Sequence, residues 1–103
     1  MTVVVSVKFP LTPAQIQKFE AENMHLHGPI MEAAMKYITG HRRLLADDHV
    51  LDLDEYRSVE DYHAFFEVAK PMIDSYAELA GAPIIDTVYV EDETPMPGAP
   101  AAE

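Results

Sequence analysis

The sequence has no cysteine and no tryptophan among its 103 residues. Without cysteine, disulfides, thiolate nucleophiles and cysteine-ligated zinc are all excluded. Positive charge is scarce: 7 lysines and arginines stand against 18 aspartates and glutamates, for a formal net charge of −11. Phosphate-rich partners would be repelled, which argues against nucleic acid and against an anionic membrane surface. No apolar run approaches the roughly 20 residues of a membrane-spanning helix. The first residues, MTVVV, lack the basic region and small-residue cleavage site of a secretory signal. A soluble cytoplasmic protein is therefore the expectation. No nucleotide-binding loop, flavin fingerprint or metal cluster is evident, so no cofactor is expected.

What is present fits one globular domain. Hydrophobic residues make up 49% of the chain, too many for wholesale disorder. A chain this short buries only about two-thirds of its unfolded surface, so a partner subunit would help it.

Val3 to Phe9 is rich in β-branched residues and reads as a strand, with Val3, Val5, Val7 and Phe9 on its drier face. Thr12, Pro13 and Gln15 form a helix start, with a capping threonine and a proline at the first helical position. Helical spacing continues through Ile16, Phe19, Leu26, Ile30, Ala34 and Ile38. Pro29 cannot donate to the carbonyl of His25, so the spacing predicts a helix over 13–26, a break at Gly28 and Pro29, and a second piece over 29–38. Strands follow over 41–46 and 49–57. Ser58 caps a second amphipathic helix, with Glu60 and Asp61 in its first turn. Its stripe runs through Tyr62, Phe65, Phe66, Ala69, Ile73 and Tyr76, with Pro71 expected to kink it or start a new short helix. Gly81 ends it, and a last strand covers 84–90. The domain is expected to close there, and 91–103, rich in proline and alanine, reads as a mobile tail.

The order β-α-β-β-α-β, with one apolar stripe on each helical region, predicts a ferredoxin-like two-layer α+β sandwich. A loop of two or four residues between the middle strands sets Leu45 opposite Val50, Arg43 opposite Asp52 and His41 opposite Asp54. One sheet face then carries Leu44, Leu51 and Leu53, and the other His41, Arg43, Leu45, Val50, Asp52, Asp54 and Tyr56. The leucine face is expected to lie under the helices. The mixed face is then left to water, a ligand or a second subunit, which predicts a homodimer.

The stretch Asp52–Phe66 resembles the strand–helix junction of the dimeric α+β barrel proteins, the group that includes the antibiotic-biosynthesis monooxygenases. An acid, an aromatic, a small polar cap and helical aromatics correspond to Asp54, Tyr56, Ser58 and the Phe65–Phe66 pair. The resemblance spans residues 3–90 in layout and 52–81 in motif detail. It implies two sandwiches packed sheet to sheet and a small-molecule pocket between each sheet and its own helices or loops. Haem-degrading members use an Asn, Trp and His set, and the missing tryptophan keeps that chemistry from being carried over.

Candidate catalytic residues are His41, Asp54 and Tyr56. A carboxylate beside an imidazole fixes its tautomer for acid–base work near neutral pH, and a tyrosine can donate to a developing oxyanion. The same residues could instead form a structural polar network. Candidate substrate-binding residues are His25, His27, Arg43 and Asp52. Arg43 and Asp52 read most simply as a salt bridge, and alternatively as a clamp for a carboxylate or phenolate. His25 and His27 diverge by about 200° on a helix, so no metal site is expected from them. Met24, Met31, Met35 and Met72 read as core, or as an adaptable pocket wall.

Two functions follow. One is a cofactor-independent monooxygenase, isomerase or cyclase acting on an aromatic or enolisable substrate. The other is a non-catalytic ligand-binding or accessory protein on the same fold. They separate on whether His41, Asp54 and Tyr56 line one enclosed cavity.

Overall fold

Four antiparallel strands form one sheet in the order β2-β3-β1-β4, with three helices on one of its faces. In this computed structural model, which describes residues 2–95 and 97, the elements are β1 (Val3–Phe9), α1 (Pro13–Glu22), α2 (Met24–Tyr37), β2 (Ile38–Leu45), β3 (Val50–Tyr56), α3 (Val59–Ala80) and β4 (Ile85–Val90). The arrangement is the expected ferredoxin-like α+β sandwich, with the first helical region split in two. Most of the proposed 91–103 tail, Met96 and residues 98–103, lies outside the described residues.

The middle hairpin has the predicted register. Leu45 pairs with Val50, Arg43 with Asp52 and His41 with Asp54, joined by four residues in which the Ala46 N–H donates to the His49 carbonyl at 3.0 Å. Thr39 is an extra residue in β2, between Ile38 opposite Tyr56 and Gly40 opposite Glu55. Because the bulge lies in β2, the alternation of β3 is intact and Tyr56 stays on the face of Asp54.

Rungs across the sheet fix which residues share a face. One rung runs His41, Asp54, Val5, Val88, and the next Arg43, Asp52, Val7, Asp86. The opposite face carries Leu44, Leu51, Lys8 and Ile85 in one rung, and Arg42, Leu53, Ser6 and Thr87 in another. The helices cover the first face. Val3, Val5, Val7, Phe9, Val50 and Tyr56 are buried there against Ile16, Tyr62, Met72 and Tyr76. Each such aliphatic side chain stabilises the fold by about 1.5–3 kcal/mol.

This reverses the expected cover. The leucine face is the open one, with Leu44 and Ile85 exposed, and the mixed face is the roofed one. Alternation groups residues by side but does not say which side is covered. The β1 valines settle it, because they share their side with Asp52 and Asp54. Those acids tolerate burial because each has a partner in β2, as a buried charge must.

The helix break falls at Asn23 and not at Gly28 and Pro29. Asn23 has non-helical dihedrals, and its side-chain amide donates to the Phe19 carbonyl at 2.8 Å. Pro29 is accommodated in the second turn of α2, where only the His25 carbonyl loses its helical donor. Similarly, α3 runs as one helix through Pro71, and no new helix starts there. Its N-terminus is as predicted: Ser58 Oγ accepts from the Asp61 N–H at 3.1 Å. Gly81 closes it at φ 64°, a left-handed conformation.

Candidate functional site

Between the covered sheet face and the helices lies a cavity of about 590 Å³. Its floor is β2, β3 and β1, its walls are α2 and α3, and Glu20 reaches it from α1. Tyr56, Phe65, Phe66 and Met72 make much of the lining apolar.

His41, Asp54 and Tyr56 all line this cavity. His41 Nδ1 lies 2.5 Å from Asp54 Oδ1. The His41 side chain is 51% exposed and that of Asp54 only 9%, so the imidazole stands at the mouth with the carboxylate behind it. Burial pushes the Asp54 carboxyl above its ordinary range, against the opposing pull of the His41 hydrogen bond. A proton held on Nδ1 by Asp54 leaves the Nε2 lone pair as the basic site. Burial, and the charge of Asp54, push the Tyr56 phenol up as well, so Tyr56 is a donor at neutral pH. Its ring packs edge-on against Tyr62, with centroids 5.5 Å apart.

Arg43 and Asp52 form a two-pronged pair, Nε to Oδ1 at 2.7 Å and Nη2 to Oδ2 at 2.9 Å. Two further residues complete a network. Arg43 Nη1 donates to Glu20 Oε1 at 2.8 Å, and the Tyr76 hydroxyl donates to Glu20 Oε2 at 2.7 Å. Burial works to raise the Glu20 carboxyl, but the Arg43 and Tyr76 hydrogen bonds outweigh it and hold Glu20 below its ordinary value. The Arg43 hydrogen bonds to Asp52 keep the guanidinium firmly charged despite burial. This network ties α1, β2, β3 and α3 together.

His27 reaches the cavity from α2, whereas His25 is exposed and not among the lining residues. Met31 and Met35 line the mouth, yet both are exposed, as is Met24. Only Met72 of the four methionines is core. Among the described residues no three histidine, aspartate or glutamate side chains group as a metal site.

Glu20, Tyr62, Tyr76 and Asp86 also line the cavity and were not singled out in the sequence. Tyr62 and Tyr76 stand in the apolar stripe of α3, where a hydroxyl gives no signal of its own. Glu20 and Asp86 meet their partners only through the tertiary fold, at sequence separations of 23 to Arg43 and 24 to Tyr62.

The chain matches no protein-family model and no curated protein. Solved structures do resemble it. A conserved protein from Methanosarcina mazei Go1 superposes with a TM-score of 0.68 at 14% identity, over 89% of this chain and 94% of that one. A monooxygenase from the gene ActVA-Orf6 of Streptomyces coelicolor, in complex with the ligand nanaomycin D, gives 0.66 at 16% identity over 93% and 92%. Rv0793 from Mycobacterium tuberculosis gives 0.61 at 17% identity over 91% and 98%. Identities this low speak for the fold alone. The chain thus shares the ferredoxin-like α+β fold of these solved structures.

Proposed function

We propose that the protein is a small-molecule enzyme that removes a proton from an aromatic or enolisable substrate held in the cavity, without an added cofactor. The observation that carries this reading is the His41–Asp54 pair at the mouth of an apolar cavity that also holds the Tyr56 side chain. His41 Nε2 takes the proton from an acidic C–H or O–H, and Asp54 stabilises the imidazolium that results. Tyr56 donates to the enolate or phenolate oxygen as its charge develops. His27 orients the substrate from the helical wall. The anion so formed is the shared starting point for isomerisation, cyclisation or reaction with dioxygen. The similarity to a monooxygenase with a bound small molecule is consistent with the last of these.

Deuterium wash-in tests it. A panel of aromatic ketones and phenols with acidic C–H positions, incubated with protein in D2O, should exchange faster than in buffer, and His41→Gln should abolish the gain. Oxygen uptake measured in parallel identifies an oxygenase. Binding of the panel with no exchange above buffer would favour an accessory ligand-binding protein.

We also propose a homodimer joined through the open sheet face. Leu44, Leu51, Leu53 and Tyr89 lie on that face, and no helix among the described residues covers it.

A further inference from the structure

Arg43 is the only lysine or arginine among the described residues that line the cavity. Four carboxylates line it as well: Glu20, Asp52, Asp54 and Asp86. A lone arginine in an apolar cavity would ordinarily mark a receptor for a carboxylate, because its fork matches two oxygens. Here each of the three guanidinium nitrogens already donates to a carboxylate. Asp52 takes Nε and Nη2, and Glu20 takes Nη1. Tyr76 holds the far oxygen of Glu20, which fixes that carboxylate on the arginine. The group of Glu20, Arg43 and Asp52 therefore carries a net negative charge, with Asp54 and Asp86 adding to the field in the same cavity.

We propose that Glu20 sets the charge of the ligand this cavity accepts. By occupying Arg43 from α1, it removes the wall's anion receptor, so that uncharged aromatic compounds bind and their carboxylate counterparts are rejected. Asp52 alone would neutralise Arg43 and leave Nη1 open to a ligand oxygen. The second carboxylate, delivered from a different element, turns a neutral pair into a repulsive one. This rests on the cavity being the ligand site, as in the function proposed above, but not on any turnover.

Two probes of one shape test it, 2-naphthol and 2-naphthoate, the first uncharged and the second ionised at pH 7. A two-ring compound is well within a cavity of about 590 Å³. By titration calorimetry the unaltered protein should bind 2-naphthol at least about tenfold more tightly than 2-naphthoate, the scale of one nearby unit charge in a partly screened site. Glu20→Gln should tighten 2-naphthoate by about tenfold while leaving 2-naphthol within about twofold. Tyr76→Phe removes a hydrogen bond but no charge, and should keep the preference. Equal affinity of the unaltered protein for the two probes overturns the proposal without any variant. A parallel change of both probes in Glu20→Gln, or no binding of 2-naphthol, also overturns it. His41→Gln, inactive under the catalytic reading, should keep the full preference, so failure of catalysis and failure of charge selection are told apart.

Discussion

Tyr62 and Asp86 meet across the layer interface. The Tyr62 hydroxyl donates to Asp86 Oδ2 at 2.8 Å, and the other carboxylate oxygen is buried with no hydrogen-bond partner among the described residues. Burial raises the Asp86 carboxyl above its ordinary value, with the Tyr62 hydrogen bond opposing it. A raised folded value means that the native state holds the proton more tightly than the unfolded chain. The stability this confers is complete below the unfolded value and is lost as pH rises through the folded one. Asp86→Asn should therefore stabilise the protein at pH 7.5, by roughly 0.5–1 kcal/mol on the usual scale of a favourable single change. The gain should shrink toward pH 4. Thermal melts at the two pH values check this, and an equal gain at both would mean that charge is not the cause.

Activity should have an acid limb set by the His41–Asp54 pair. The proposed base needs Asp54 ionised, and burial places its titration above the ordinary aspartate range. The rate should fall with falling pH as the pair takes up a proton. Asp54→Asn should lower kcat by about 10²–10⁴, the usual contribution of a positioned acid–base group. Steady-state rates across pH, with the variant beside the unaltered protein, provide the check.

The two ends of α3 should fail independently. Ser58→Ala removes the cap on the Asp61 N–H and should cost about 1 kcal/mol. Gly81→Ala meets no atom within 4 Å but must hold φ 64°, so its cost of about 1–2 kcal/mol is purely one of backbone conformation. The double variant should show the sum in a denaturant titration, since the sites are far apart along the helix.

Light scattering at micromolar concentration should give twice the 11.5 kDa chain mass. Leu53→Lys, at the centre of the open face, should shift the protein toward the single-chain mass while leaving the fold intact by circular dichroism. A single-chain mass for the unaltered protein would remove the proposed dimer.

Much of the sheet was legible in the sequence. Alternation in Val3–Phe9 and Val50–Tyr56, with an even-numbered turn after Leu45, is enough to set His41 opposite Asp54. Alternation carries no information on cover, and the charges of Asp52 and Asp54 pointed the wrong way. Their burial depends on Arg43 and His41, a pairing that becomes evident once the roof is known. The break at Asn23 was hidden because proline is the louder signal. Yet Pro29 removes one donor from α2, while Asn23 leaves the helical region altogether and substitutes a side-chain bond to Phe19. Glu20 and Asp86 were invisible for a different reason, since an acid on a helix or strand reads as solvated until its distant partner is in place.

His41 stands half in water, with Asp54 buried behind it. For the proposed base, this placement governs how the catalyst is restored after each turnover. A proton collected inside can leave for bulk solvent from the same ring that captured it, with no chain of relays through the interior. Restoration then depends on the buffer at the doorway and not on any movement of the roof. Raising buffer concentration should speed a reset-limited reaction.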